Sequence, residues 1–162
     1  MTEPAEVRIY NLIRELRINH QLEHSSKEQE WIIKHLDDEQ LQAAVAKLSI
    51  VALHVLSALE KADNQTGIDL ANAISVTRGG VTRAAKKLID FNLVTSKKRP
   101  DNKKNIYYRL TPAGRKVARV HDQMHQELQA MVIKQMDAKY SQAELTIVAD
   151  FLASVLKAEN EF

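Results

Sequence analysis

Residues that break helices are confined to the middle of this chain, and this restriction limits which folds are open to it. All four glycines and two of the three prolines lie between residues 67 and 114. The flanking segments, from about 4 to 62 and from 111 to the C-terminus, carry apolar residues at helical spacing. The sequence therefore predicts a mainly α-helical protein whose only extended structure lies in the central region.

Two short helices separated by a tight turn are predicted in that region. Thr66 is placed to cap the first, with an acid three residues later at Asp69, and Thr77 is placed to cap the second. A preceding buried helix is predicted to begin after Ser49 and to end before a turn at residues 63–67. Two short helices joined in this way form a helix-turn-helix.

Two segments rich in β-forming residues follow the second helix. They span residues 94–98 and 105–110, and they flank a basic, turn-rich stretch at 99–104. This pattern predicts a β-hairpin. A hairpin directly after a helix-turn-helix is the wing of a winged helix, which we place at about residues 49–111. Thr111 and Pro112 then start the next helix as its cap and first residue.

The helices on either side of the winged helix are predicted to form a dimer. The helix from Pro112 extends to about residue 138, a length of roughly 40 Å, and Ser141 caps another. In the N-terminal part, Ser25 to Glu28 have the pattern of a capping box for a second helix. Apolar stripes on helices of this length need a partner, so we expect a homodimer built from residues of about 4–36 and 112–158. With 162 residues, the whole chain is expected to be one domain.

The net charge of +2 conceals a strongly uneven distribution. Residues 77–116 hold twelve Lys or Arg and two acids, a net charge of +10, which leaves −8 for the rest of the chain. This asymmetry favours a polyanion bound on one face, although a solvated lysine-rich surface is the alternative that composition leaves open.

A nucleic-acid ligand would be contacted by the second helix and the wing. Arg78 and Arg83 have the forked geometry that matches guanine edges in the major groove, while lysines suit phosphates. Gly79 and Gly80 let the backbone approach a duplex closely. The predicted DNA contacts are Thr77, Arg78, Gly79, Gly80, Thr82, Arg83, Lys86, Lys87, Lys97, Lys98, Arg99, Lys103 and Lys104.

These residues carry a resemblance to the MarR family of multiple-antibiotic-resistance regulators. The similar motifs are GIDLA at 67–71, SVTRGGVTR at 75–83, LV at 93–94 and YRLTPAG at 108–114. The resemblance implies a homodimer with one winged helix in each half, which binds a roughly palindromic operator as a repressor or activator. The wing departs from the family in having Asn102, Lys103 and Lys104 where Asp-Arg-Arg is frequent. The segment at 25–48 is longer than usual and has no assigned role.

Six histidines in a chain without cysteine raise the hypothesis of a metal site. His121 and His125 lie four residues apart on the long helix and face the same way, as two ligands of one ion would. The spacing resembles a zinc-protease motif, but the glutamate base is absent. Comparison with the zinc-sensing branch of the MarR family implies His54, His121 and His125 as ligands, with Glu23 or His24 as a further one. The alternative is that these histidines pack or hydrogen-bond beside the dimer helices.

The sequence thus predicts a sequence-specific regulator of transcription that binds double-stranded DNA, with repression as the expected effect. Its effector would be an unidentified small molecule or a metal; no cofactor is required, and zinc is the candidate. The alternatives are a winged helix that contacts proteins and, less favoured, a metal-dependent enzyme. No glycine-rich phosphate loop or Ser–His–Asp order supports an enzyme. The absence of cysteines, of a secretory signal and of a long apolar run leads us to expect a soluble, cytoplasmic protein with no membrane partner.

Overall fold

The computed structural model describes residues 4–22, 24–101 and 104–161. The elements in chain order are α1 Ala5–Leu22, α2 His24–Lys34, α3 Glu39–Val45, α4 Ile50–Lys61, β1 Gln65–Thr66, α5 Gly67–Ala73, α6 Arg78–Asp90, β2 Val94–Lys98, β3 Ile106–Leu110, α7 Pro112–Lys139 and α8 Gln142–Asn160. The predicted fold class, mainly α with a small β-hairpin wing after a helix-turn-helix, is confirmed.

The caps that define the central helices follow from short sequence patterns. Thr66 and Asp69 form a full capping box at the start of α5, and the Thr77 hydroxyl accepts from the Gly80 amide at 3.1 Å. Ser141 forms a second capping box with Glu144 at the start of α8. These predicted caps are confirmed, because each depends only on residues within one helical turn.

The N-terminal part differs from its predicted outline. α2 begins at His24, so Ser25 is the second residue of the helix and not the residue before it, as the predicted capping box requires. A separate short helix, α3, follows with Asp38 as its cap, whose carboxylate accepts from the Gln40 and Leu41 amides. The described residues between 4 and 62 therefore form four helices, and Asp38 and Ser49 cap the last two of them.

The sheet has three antiparallel strands in the order β1-β3-β2. The β2–β3 hairpin pairs Val94 with Leu110 and Lys98 with Ile106. β1 is a correction to the predicted turn at 63–67, since Gln65 and Thr66 pair with β3. Two residues are too short to show a strand period, so only their pairing with β3 makes them a strand.

The chain divides into two compact units, Met1–Met124 and His125–Phe162. The core of the first is built around α4, and its largest fully buried side chains include Leu53, Leu56, Leu59, Leu70 and Leu88. Each such leucine contributes about 1.5–3 kcal/mol by leaving water. This core fixes α5 and α6 as the scaffold on which the exposed face of α6 is displayed.

The second unit contains the end of α7 and all of α8, and none of the residues of α8 is buried. Its exposed large apolar residues include Leu128, Met131, Val132, Ile133, Met136, Ile147, Val148, Phe151, Leu152 and Leu156. The expectation of a single domain over 1–162, with a winged helix and two dimerisation segments, stays a prediction.

The junction between the wing and α7 is closely packed. The Thr111 amide donates to the Leu93 carbonyl at 3.0 Å, and the Thr111 hydroxyl donates to the Asn92 carbonyl at 2.7 Å. A Cβ atom on Gly114 would lie 1.9 Å from the same Leu93 carbonyl oxygen. Only a glycine at position 114 lets α7 approach the backbone at Leu93 this closely.

Among the described helices, none alone has the length and hydropathy to cross a membrane. α3 and α4 meet both criteria only when they are counted together, across a bend of 120°.

Candidate functional site

The exposed face of α6 carries the residues predicted to contact nucleic acid. The opposite side of this helix, Val81, Ala84, Ala85 and Leu88, is buried in the core. Its solvent side consists of Arg78, Gly79, Thr82, Arg83, Lys86 and Lys87, all of which are exposed. The 3.6-residue period of the helix thus separates a core face from a face with four cationic residues. We call these six residues the basic face of α6.

The first turn of α6 is flat because it carries two glycines. A Cβ atom on Gly79 would meet only the flexible end of Arg83, at 3.7 Å. A Cβ atom on Gly80 would lie 3.3 Å from the Thr77 hydroxyl that caps the helix. Neither glycine has a positive φ. These two glycines therefore do not serve an unusual backbone conformation. Because they lack a side chain, they leave the backbone of α6 open to close approach by a ligand.

The wing extends this cationic surface. Lys97, Lys98, Arg99 and Lys104 are all exposed on or beside the hairpin, whereas Lys103 lies outside the described residues. The Arg99 guanidinium lies 4.1 Å from the centre of the Tyr107 ring, a cation–π distance that holds it at the hairpin.

An ion pair that sequence patterns did not reveal anchors the base of the wing. Arg109 of β3 donates twice to Asp63, through Nε at 3.1 Å and Nη2 at 3.0 Å. The two residues are 46 positions apart, which is why no local pattern indicated the pair. The wing is therefore tied to the end of α4 despite its departure at 102–104 from the frequent family pattern.

Two surface cavities border the basic face of α6. One, of about 190 Å³, lies towards the wing, and its lining includes Arg78, Thr82 and Lys104. The other, of about 410 Å³, brings Lys47 and Ser49 next to Arg83 and Lys87. Lys47 extends the cationic surface beyond the predicted segment. No local sequence pattern indicated this role, because Lys47 precedes that segment by thirty residues.

A second cluster lies in the interior of the first unit. Glu28 of α2, His54 of α4 and His121 of α7 each offer a donor atom within 4.8 Å of the others. Glu28 and His121 are only 4% and 2% exposed. Oε2 of Glu28 lies 3.9 Å from Nε2 of His121, and the rings of His54 and His121 meet edge to face at 5.5 Å. His125 is one turn further along α7 on the same side as His121.

The chemistry of this cluster suits a cation. A carboxylate removed from water costs several kcal/mol unless a positive charge compensates it. Imidazole nitrogen and carboxylate oxygen are preferred ligands of zinc, whose tetrahedral bonds place such atoms about 3.3 Å apart. The 3.9 Å separation of Glu28 and His121 is close to that value. The types of residue present therefore fit a zinc ion, provided that the donor atoms, which lie within 4.8 Å of one another, move closer together on binding.

The elements around Glu28 explain how a carboxylate is held in the interior. The adjacent Gln29 donates from Nε2 to the Val45 carbonyl at 3.3 Å and also to the Leu48 carbonyl. These bonds fasten α2 to the connection between α3 and α4 and turn Glu28 towards His54 and His121.

The acidic member of the cluster differs from the sequence-based candidates. Glu23 lies outside the described residues, and His24 begins α2 with a side chain outside the described set. Glu28 was interpreted only as part of a capping box. The signal that favours Glu28 as a ligand is its position one turn before the buried Ile32, on the core side of α2.

Comparison with known proteins shows which family the winged helix is similar to. A family model described as MarR family matches residues 48–106. The HTH-type transcriptional regulator YvnA of Bacillus subtilis is 32% identical over 64% of this chain and 65% of its own length. The HTH-type regulator PchR of the same organism is 27% identical over 98% of this chain and 94% of its own length. Residues 48–106 of this chain are thus similar to the MarR family, and the relatives that match are regulators of transcription. The chain is a DNA-binding regulator of transcription.

Solved structures show that the similarity in fold extends over nearly the whole chain. The repressor AdcR of Streptococcus pyogenes matches with a TM-score of 0.67 and 22% identity over 99% of this chain and 100% of its own. FabT of Streptococcus pneumoniae, in complex with DNA, matches at 0.70 with 19% identity over 96% and 98%. ZitR of Lactococcus lactis, described as zinc-responsive, matches at 0.68 with 24% identity over 93% and 98%.

Proposed function

We propose that this protein is a homodimeric repressor of the MarR family that binds a roughly palindromic operator in double-stranded DNA and that responds to zinc. The observation that carries the DNA interface is the basic face of α6, where four cationic side chains and Gly79 are exposed on a helix whose other side is buried. We also propose that the protein works in the cytoplasm, where a regulator of this type would meet its operator.

The roles of the individual contacts follow from their chemistry. Arg78 and Arg83 read base edges in the major groove, because a guanidinium donates two parallel hydrogen bonds to guanine. Lys86 and Lys87 neutralise phosphates, and the flat turn at Gly79 lets α6 enter deeply. The wing residues Lys97, Lys98, Arg99, Lys103 and Lys104 contact the adjacent minor groove or its phosphates. FabT, a neighbour in fold, has been solved in complex with DNA.

The dimer is supported by apolar surface that the single chain leaves exposed. Val7, Leu12 and Leu16 of α1 are exposed, as is the row of apolar residues described in the second unit. Exposed apolar area of this extent is typical of a protein–protein interface. A second copy of the chain buries it and gives the two basic faces of α6 a spacing that a palindromic operator matches.

Zinc is supported as effector by the buried cluster. Glu28, His54 and His121 would hold it. His125, which follows His121 by one helical turn in the sequence of α7, is proposed as a fourth ligand from its spacing alone. When bound, zinc supplies the positive charge that the buried carboxylate requires. Because the three donors come from α2, α4 and α7, their contraction adjusts these helices and the position of the basic face of α6. ZitR, a neighbour in fold, is described as zinc-responsive.

DNA binding is tested by operator selection followed by titration at several salt concentrations. Arg83→Ala is expected to weaken operator binding by about 1–3 kcal/mol and to relax sequence preference. Lys86→Ala is expected to weaken binding to all sequences and to reduce the salt slope by about 1. Lys61→Ala, which removes an exposed lysine at the end of α4, is the matched control and should bind as wild type. A selected operator that binds no better than random DNA at physiological salt would refute the proposal.

The zinc proposal is tested by competition with a chromophoric chelator. Wild type is expected to bind one zinc ion per protomer. Glu28→Gln or His54→Ala is expected to weaken zinc binding by more than roughly tenfold, which is the smallest loss usual when a residue that only hydrogen-bonds to a metal ligand is removed. His35→Ala is the control, because His35 is exposed and stacks on Trp31 at 3.6 Å. Zinc affinity equal in wild type and Glu28→Gln would exclude this site.

The same measurements separate the alternatives. A winged helix that serves protein contacts would bind DNA weakly and without salt dependence. A catalytic metal site keeps one position open for water, whereas the proposed four ligands close the coordination sphere. The absorption spectrum of the Co²⁺-substituted protein distinguishes these coordination states. A five-coordinate spectrum with exchangeable water would favour the metal-dependent enzyme.

A further inference from the structure

Beside the buried cluster, two residues with no assigned role form a short chain of hydrogen bonds. The hydroxyl of Ser57, on α4, donates to Oδ1 of Asp122, on α7, at 2.6 Å. The same oxygen lies 3.2 Å from Nδ1 of His121. Ser57 is 7% exposed and follows His54 by three residues, so that both project from one face of α4. α4 thus supplies one donor to the cluster and one hydrogen bond to the carboxylate behind it.

The direction of these bonds assigns the protons. A carboxylate accepts hydrogen bonds and has none to donate, so Nδ1 of His121 carries the proton in its contact with Asp122. In a neutral imidazole, Nε2 then holds the lone pair. Nε2 is the atom that faces Oε2 of Glu28 at 3.9 Å, on the side of the cluster. The nitrogen directed at the cluster is therefore the one able to bind a cation.

We propose that Asp122, held in place by Ser57, is a positioning residue that fixes the Nδ1–H tautomer of His121 and directs its Nε2 lone pair towards the metal ligands. The effect on zinc affinity rests on the proposed function, but the effect on the tautomer does not. Partners of this kind orient metal-binding histidines and raise their basicity, and their loss weakens metal affinity by about 10–100-fold.

The position of Ser57 makes this arrangement part of the first unit's core. Its hydroxyl holds Oδ1 of Asp122, which leaves that oxygen aligned with the imidazole edge of His121. Without the serine, Asp122, whose side chain is 25% exposed, is free to turn towards water. The hydrogen bond from the buried Ser57 thus keeps the Asp122 carboxylate from turning towards water. The carboxylate in turn keeps the imidazole ring of His121 in its orientation.

Three variants separate positioning from a merely structural role. Asp122→Ala removes the acceptor, Ser57→Ala removes its support, and Asp122→Asn keeps an oxygen that accepts from both neighbours while removing the charge. Asp137→Ala, which deletes an exposed carboxylate from the same helix, is the matched control. The tautomer of His121 is measured in the metal-free protein by long-range proton–nitrogen correlation spectra, and the zinc affinity by chelator competition.

The expected results form a graded series. Wild type, Asp122→Asn and Asp137→Ala show protonated Nδ1 on His121, whereas Asp122→Ala shows a mixture of tautomers. Zinc affinity falls by about 10–100-fold in Asp122→Ala, by less in Ser57→Ala and Asp122→Asn, and not at all in Asp137→Ala. If Asp122→Ala does not fold, the tautomer and affinity of Ser57→Ala decide the question, with a shift in both expected.

The contrary results are distinct from failure of the zinc proposal. A folded Asp122→Ala or Ser57→Ala with the wild-type tautomer and wild-type zinc affinity would overturn the positioning role. Absence of zinc binding by wild type would refute the proposed effector. In that case a tautomer shift in Asp122→Ala still establishes that Asp122 orients His121.

Discussion

Replacement of Gly114 by alanine tests the close packing between α7 and the base of the wing. A Cβ atom at this position would lie 1.9 Å from the Leu93 carbonyl oxygen and 2.8 Å from the Leu93 carbonyl carbon. The first of these distances is more than 1 Å below the 3.0 Å that real Cβ atoms keep. The obstacle is backbone, so no side-chain rotation relieves the overlap.

Replacement of Gly114 by alanine should lower the stability of the protein, whereas the same replacement at an ordinary helical glycine raises it. Alanine in a helix interior is ordinarily more stable than glycine by roughly 0.5–1 kcal/mol. At Gly114 the overlap forces α7 away from Leu93 and strains the Thr111 amide bond to the Leu93 carbonyl. Overpacking costs about 1–3 kcal/mol, and loss of a buried hydrogen bond adds about 1 kcal/mol. We expect Gly114→Ala to destabilise the protein by about 3 kcal/mol.

The assay is thermal and urea unfolding at one fixed protein concentration, since dimerisation makes the midpoint depend on concentration. A loss of about 3 kcal/mol corresponds to a fall in Tm of about 6–12 °C. Gly79→Ala is the matched control, because its Cβ meets only the end of Arg83 at 3.7 Å. The control should be more stable than wild type yet bind operator more weakly. A Gly114→Ala variant as stable as wild type would refute the packing argument.

Three further predictions concern ion pairs, pH and metal. Glu60→Gln removes the carboxylate that accepts from Arg115 at 2.6 Å and from Arg119 at 3.0 Å. It should lower the free energy of unfolding by about 1 kcal/mol at low salt and by less at high salt; an unchanged urea midpoint at low salt would contradict it. Two hydrogen bonds from Thr66 hold the pKa of the Asp69 carboxylate below its usual value of 3.8. The bond from the Thr66 hydroxyl has the larger effect, and the bond from the Thr66 amide has the smaller one. The stabilisation from the ionised carboxylate is therefore fully present above pH 3.8, and it is lost as the pH falls through the lower pKa of the folded state. Asp69→Asn should consequently destabilise the protein at neutral pH and match wild type in strong acid. A gap between their unfolding midpoints that persists in strong acid would argue against this assignment. Chelation of zinc-loaded protein should lower its stability by about 2.7 kcal/mol if free zinc had been 100-fold above Kd, and an unchanged Tm would count against the metal site.

Features that depend on neighbours in sequence were predictable. The caps at Thr66, Thr77 and Ser141 each involve residues within one helical turn, and the structure shows all three. The hairpin strands were predicted for the same reason, since their β-forming residues are consecutive. A cap or a hairpin that is formed by residues close together in the sequence depends little on the rest of the chain.

Features that depend on distant residues were not predictable in the same way. β1 exists only because Gln65 and Thr66 pair with β3, some forty residues later. The capping pattern around Glu28 gave no signal that its carboxylate is buried beside His54 and His121. The ion pair between Arg109 and Asp63 joins residues that no sequence pattern connects.

The sequence alone determined the winged helix, the cationic segment and the pair His121 and His125, because helical period and local charge are properties of consecutive residues. The tertiary structure decided which acid meets those histidines and which carboxylate orients them. Glu28 and Asp122 occupy these positions because α2, α4 and α7 pack together in the first unit. Packing between helices sets the position of a buried charge. The energy of burial determines this packing, and the spacing of residues in the sequence does not reveal it.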